Sequence, residues 1–328
     1  MYGLHVQIKL LYDEIFTTRG YHRDQAPINV LVPGNSTEAT KLLVLIILQT
    51  IYLTDLDVSK HMLSTYFELE MRWMDPRLAW STEQFGAVDK TYIQCDSLWI
   101  PGISLISALR LTEVFPEQFR ECTLYANGTV KYDLMFTADI GCQFEVENFP
   151  FDSQNCSLQF GTSTYSWDEI ELEGLMFQKY SAMNNSVYSN GEWLIENVTQ
   201  QVATFDIIGG VQDVLIFQLT CKRQPSFYIY VIAIPCFILT FLSISGSFWT
   251  PNLEEEQLSK LSLTLTSMMS MTTFVNIVSQ QVPKTSTFPL LGIFVLCCVF
   301  IVSVAALIIV TCREKKKIMP KFDKSHKR

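Results

Sequence analysis

The chain has 328 residues, 48% of them hydrophobic, and a formal net charge of −9, so it is long enough for more than one domain. An acidic balance argues against nucleic acid as a partner. The four histidines (His5, His22, His61, His326) are scattered, with no metal-ligand spacing, Cys-His pair or phosphate-cradling glycine loop, so no catalytic residue, metal or cofactor is assigned and an enzyme is set aside.

At the amino terminus, residues 1–11 show no charged region followed by a sustained apolar core, and no secretory signal is read there. Residues 5–16 place Val6, Ile8, Leu11 and Ile15 at helical spacing and predict a short helix. The apolar run 42–53 is too short to cross a membrane and predicts a buried strand. In 65–73, Phe67, Leu69, Met71 and Trp73 alternate with Tyr66, Glu68, Glu70 and Arg72, which is a half-buried strand with one apolar face. Asn127-Gly128 marks a hairpin turn within 123–132. About ten such runs up to residue 218, broken by Gly, Pro, Asn and Asp, predict an all-β sandwich.

Beyond residue 224 the composition changes. Residues 227–249 and 289–312 are each long and apolar enough to cross a bilayer. Residues 258–281 are of helix length but rich in hydroxyls. On a helix, Ser262, Thr266, Met269, Thr273, Asn276 and Gln280 recur at alternating steps of four and three, one continuous stripe among apolar faces. Unsatisfied polar atoms in hydrocarbon cost several kcal/mol, so the stripe must face water or other polar groups. Hydroxyl contacts between helices are one answer. A pore lining is the other, and because one helix cannot enclose a pore it demands a ring of subunits. Residues 313–328 are strongly basic, as befits a cytoplasmic end.

Nine cysteines divide between the two halves. Cys236, Cys297, Cys298 and Cys312 lie in the apolar half, where a thiol packs as a small hydrophobe. Cys95, Cys122, Cys142, Cys156 and Cys221 lie in the polar half, with glycosylation acceptors at Asn35, Asn127, Asn155, Asn184 and Asn197. That clustering predicts an extracellular amino-terminal half, in which disulfides persist.

Cys142 and Cys156 enclose thirteen residues that include Phe149-Pro150-Phe151-Asp152. This segment resembles the signature loop of the Cys-loop, pentameric ligand-gated ion channels (nicotinic, GABA-A, glycine and invertebrate relatives). Other landmarks follow in order: Trp73-Met-Asp75-Pro-Arg-Leu78-Ala-Trp80, Leu98-Trp99-Ile100-Pro101, Asn190-Gly191-Glu192-Trp193, Arg223 with Phe227, Tyr228 and Pro235, and Pro283-Lys284-Thr285-Ser286. The resemblance spans about residues 5 to 312. It implies an all-β extracellular sandwich with a short amino-terminal helix (1–224), an α-helical transmembrane bundle with three helices present (225–312) and a basic tail (313–328) where relatives continue to a fourth helix. It also implies a bridge from Cys142 to Cys156, with Cys95 and Cys122 as candidates for a second. In the chain-entropy model, closing so short a loop stabilises by about 3 kcal/mol.

The function so implied is a neurotransmitter-gated channel subunit in the plasma membrane, neuronal or muscle and postsynaptic, in a homo- or hetero-pentamer surrounded by lipid and passing an inorganic ion. A truncated, non-conducting regulatory subunit of the same fold is the alternative. The gating interface would gather 149–152, Asp55 and Asp57, Arg223, Pro283 and Lys284, with Asp152, Asp55 or Asp57 as the carboxylate partner that a buried Arg223 needs. Met269, where relatives usually have Leu, would form a constriction that gates by dewetting. At the inner mouth, Leu258-Ser259-Lys260 matches neither the cation nor the anion pattern, and Glu254, Glu255 and Glu256 tilt the reading toward cations. The amine cage of relatives does not carry over: Ser163, Ile106 and Glu68 stand at its positions, and the capping loop lacks paired cysteines. Phe67, Glu68, Tyr125, Lys131, Ser163, Tyr165 and Phe205 are the candidate ligand residues. The ligand, a small neurotransmitter or a proton, stays open.

Overall fold

The computed structural model describes residues 2–28, 41–176, 190–207, 210–249, 253–281 and 288–311. They fall into two compact units: one of Met1–Glu145 with Ser153–Gln224, the other of Val146–Asp152 with Pro225–Arg328.

The first unit begins with helix α1 (Tyr2–Asp13), continued by a π-helical turn over Glu14–Thr18. Eleven strands follow among the described residues, in keeping with the about ten runs of the sequence pattern: β1 Leu42–Asp57, β2 Met62–Met74, β3 Lys90–Gln94, β4 Ile103–Leu105, β5 Ala108–Glu113, β6 Glu121–Tyr125, β7 Thr129–Gly141, β8 Ser153–Thr162, β9 Ile170–Met176, β10 Trp193–Ile207 and β11 Gly210–Arg223. One sheet runs β3-β6-β7-β2-β1-β9, with β5 also pairing β7; the other runs β10-β11-β8-β4. The alternation in β2 is observed as buried Phe67, Leu69, Met71 and Trp73. Phe67 stacks edge-on against Phe160 of β8, and Phe160 against Phe217 of β11, so one aromatic column joins the two sheets. Edge-to-face pairs of this kind add about 0.5–1.5 kcal/mol each beyond the area they bury.

The Trp73 to Trp80 motif has a local structural role. Asp75, fully buried, accepts from the Arg77 amide at 3.1 Å and pairs with the Arg77 guanidinium at 2.7 Å. Leu78 is buried, and the Trp80 indole donates to the Val88 carbonyl at 2.9 Å. The motif is anchored to the β6–β7 hairpin, because the Asp75 amide donates to the Gly128 carbonyl and the Trp80 amide to the Ala126 carbonyl, both at 2.9 Å. Gly128 has φ +86°, and a Cβ there would lie 2.5 Å from the Asp75 carbonyl oxygen. Only glycine fits.

Among the described residues of the second unit, three helices are long and apolar enough to cross a membrane. Helix α2 (Ser226–Phe248) contains a π-helical turn at Ile229–Ala233 just before Pro235, whose missing N–H and ring do not fit the regular ladder. It buries Cys236, Thr240, Ser243 and Ser247 at steps of four and three, small side chains that let helices approach closely. Helix α3 spans Leu253–Gln281 and helix α4 Leu290–Thr311. Helix α3 starts five residues earlier than the sequence suggested. Glu254, Glu255 and Glu256 therefore lie in its first turns, where carboxylates suit the positive end of the helix dipole.

Replacing Gly128 with Ala should destabilise the full chain by about 2–3 kcal/mol, through backbone strain and the clash with Asp75. Gly102→Ala, where a Cβ meets nothing within 4 Å, should leave stability unchanged. Thermal unfolding of the two detergent-purified variants beside the parent checks this.

Candidate functional site

On α3, all six residues of the polar stripe (Ser262, Thr266, Met269, Thr273, Asn276, Gln280) are exposed on the surface of the single chain. The opposite face buries Thr264, Ser267, Met271 and Val278. Along the stripe, hydroxyls donate back to their own helix: Thr266 to the Ser262 carbonyl at 2.8 Å and Thr273 to the Ser270 carbonyl at 2.6 Å. Their hydrogens are thus engaged, and oxygen lone pairs remain for whatever lies alongside. Met269, 74% exposed, interrupts this row with an apolar side chain.

Lys260, read from the sequence as an inner-mouth charge, is buried within the single chain. It is 4% exposed and shares the phase of Thr264, Ser267 and Met271, on the buried face rather than the stripe. It lines a cavity of about 440 Å³ with Leu242, Ser245 and Gly246 of α2 and with Trp249 just after that helix. The side chains of Glu254, Glu255 and Glu256 lie outside the described residues.

The loop tip Val146–Asp152 groups with the membrane helices, although both flanking cysteines belong to the sandwich. Cys142 and Cys156 are disulfide-bonded, as are Cys95 and Cys122. Pro150 follows a cis peptide bond. Phe149 is fully buried, its ring 4.8 Å from and edge-on to Tyr228 of α2. The first amides of α4 have no partner within their own helix. Here Leu290 donates to the Glu147 carbonyl at 2.9 Å and Leu291 to the Phe149 carbonyl at 3.1 Å. Phe151 is exposed and Asp152 buried. Pro283 and Lys284 lie outside the described residues.

Of the three carboxylates proposed for Arg223, Asp55 and Asp57 are engaged by residues nearby. Asp55 accepts its neighbour's amide, Leu56 N–H, at 2.8 Å. Asp57 pairs with Lys60 at 2.7 Å and accepts from Ser59 at 2.6 Å. Arg223, buried, pairs with Glu192 and lies 4.0 Å over the Trp193 ring. Sequence reasoning missed Glu192. The antiparallel register that sets Trp193 opposite Arg223 brings it there, and the signal was present, since Glu192 and Trp193 stand in the Asn190 motif.

The candidate ligand residues divide between the sheets. Phe67 is withdrawn from the set, because it is 0% exposed within the aromatic column. Glu68 and Lys131 lie on neighbouring strands β2 and β7. Glu68 accepts from the Tyr66 hydroxyl at 2.7 Å, and burial together with this carboxylate pushes the Tyr66 hydroxyl up to about 12. Lys131 pairs with Asp133 at 2.8 Å and with buried Glu70 at 3.3 Å, while Glu70 also engages Arg72 and, at 2.6 Å, Gln49. These charges form a closed local network. Tyr125 ends β6, half-buried. On the other sheet, Ser163 and Tyr165 follow β8, and Phe205 is exposed on β10. Tyr165 stacks edge-on against buried Trp99 with centroids 6.1 Å apart, and Trp99 against Trp73 at 6.2 Å. Asn127, Asn155 and Asn197 are exposed; Asn35 and Asn184 lie outside the described residues.

Burial alone would raise the Asp57 carboxyl, but the Lys60 and Ser59 hydrogen bonds outweigh it and hold the group down at about 2, against its ordinary 3.8. A depressed carboxyl contributes stability that is complete above its unfolded value and lost as pH falls toward its folded one. The Asp57 contribution should therefore fade only between about pH 4 and pH 2. Asp57→Asn should remove that acid limb from a plot of melting temperature against pH and leave responses between pH 5 and 8 intact.

Residues 9–225 match the model of the neurotransmitter-gated ion-channel ligand binding domain, and residues 232–326 that of the transmembrane region of the same channels. Among curated proteins, the chain is 28% identical over 303 residues to the neuronal acetylcholine receptor subunit alpha-2 of Gallus gallus, covering 92% of this chain and 54% of that subunit. It is 28% identical to subunit beta-3 of Gallus gallus, covering 89% and 61%, and 27% identical to subunit alpha-5 of Rattus norvegicus, covering 79% and 55%. The chain thus spans little more than half the length of the curated relatives it matches. With two family models in chain order over a β-sandwich and three membrane-length helices, the chain belongs to the neurotransmitter-gated ion-channel family.

Proposed function

We propose that the chain is a subunit of a channel opened by an extracellular small molecule, and that the stripe Ser262, Thr266, Met269, Thr273, Asn276 and Gln280 lines its pore. The observation that carries this reading is the exposure of all six residues on one helix whose opposite face is packed. A ring of subunits, a pentamer in this family, would bring the stripes to a shared water-filled axis. The two disulfides and the exposed acceptors at Asn127, Asn155 and Asn197 support an extracellular sandwich on a plasma-membrane protein.

The ligand would sit between subunits, because its candidate contacts lie on two different sheets of one chain: Glu68, Tyr125 and Lys131 on one, and Ser163, Tyr165 and Phe205 on or beside the other. The relatives are named as acetylcholine receptor subunits, and the aromatic groups Tyr165 and Phe205 suit an organic ammonium. Ligand would shift the closed–open balance by its difference in affinity for the two states. The tip of the disulfide loop, tied to the amides that open α4, is the element through which that shift would reach the helices. Cation selectivity is favoured, since Lys260 turns away from the stripe while Glu254, Glu255 and Glu256 occupy the first turns of α3.

Voltage clamp of oocytes expressing the chain, alone and with a related subunit, tests the reading, with surface label counted on the same cells. A panel of amines, amino acids and pH steps should evoke a current whose reversal potential follows the cation gradient. Surface label without current under every stimulus would contradict a conducting subunit and favour a non-conducting regulatory one.

A further inference from the structure

Three methionines fall within four positions of α3, in three different environments. Met271 is 0% exposed. Met268 is half-buried, and its sulfur accepts from the Ser303 hydroxyl of α4 at 3.8 Å. Met269 is 74% exposed on the polar stripe, one turn from Thr266 and Thr273. Thioether oxidation follows access, and Met269 is the member of the trio open to it.

We propose that Met269 is an oxidant-modified site at the constriction, which peroxide converts to the sulfoxide and so holds hydrated and conducting. This rests on the pore reading above. A sulfur lone pair attacks one peroxide oxygen, the S–O bond forms as the O–O bond breaks, and the departing hydroxide takes the remaining proton to leave as water. Sulfur loses two electrons and peroxide gains them. The product replaces an apolar side chain with a strong acceptor. Because the Thr266 and Thr273 hydroxyl hydrogens are engaged by backbone carbonyls, the new oxygen takes its hydrogen bonds from water. A gate that closes by dewetting loses its dry ring. Enzymatic reduction of the sulfoxide restores it.

Cells expressing the full chain are treated with hydrogen peroxide; oxygen uptake is read by peptide mass, and standing current by voltage clamp. Met269 should oxidise about ten times faster than Met271. Treated cells should carry a standing current that Met269→Leu lacks, and methionine sulfoxide reductase should reverse it. Equal oxidation of Met269 and Met271, an unchanged current once Met269 is oxidised, or the same peroxide response in Met269→Leu would each overturn the proposal. Thr273→Cys, probed with a charged thiol reagent, separates the two readings. If that cysteine stays unlabelled, the pore reading falls and this proposal with it. If it is labelled while Met269 resists peroxide, this proposal falls alone.

Discussion

The first two amides of α4 donate to the carbonyls of Glu147 and Phe149, and that exchange ties the loop tip to the start of the helix. Helix starts leave amides without partners, and in apolar surroundings each would cost several kcal/mol. Here a segment from the middle of the β-domain sequence supplies the acceptors. The segment is held short by the disulfide between Cys142 and Cys156 and carries Phe149 into contact with Tyr228. A loop with that chemistry cannot move without disturbing the start of α4. That is the mechanical basis for proposing it as the transmitting element.

Within the sandwich, rigidity comes from two other devices. The aromatic column Phe67, Phe160 and Phe217 fixes sheet to sheet, and the Asp75 motif fixes a loop to the β6–β7 hairpin through Gly128. Against that frame, Glu70, Arg72, Lys131 and Asp133 satisfy one another. A ligand using Lys131 or Arg72 would have to break pairs already made, which costs part of whatever it gains. The rings of Tyr165 and Phe205 carry no such cost.

Much of this was legible in the residues. The strand alternation of β2, the Asn127-Gly128 hairpin and the stripe on α3 were readable because each is a periodic or local signal imposed by one-sided burial or turn geometry. Phe67 was misplaced as a ligand residue although its own alternation put it on the apolar face. The start of α3 was hidden because three consecutive glutamates look like a solvated linker until the helix dipole is counted. The burial of Lys260 and of Glu70, and the pairing of Arg223 with Glu192, depend on contacts distant in sequence. The Asn190-Gly191-Glu192-Trp193 motif marked Glu192 but not its distant partner.

Imaging of the intact assembly, purified from membranes of cells that produce this chain, bears most directly on the central claim. The account predicts a closed ring of subunits with α3 innermost and Ser262, Thr266, Met269, Thr273, Asn276 and Gln280 facing the axis. A ring lined by α2 or α4, or α3 stripes packed against protein with no axial water path, would contradict it.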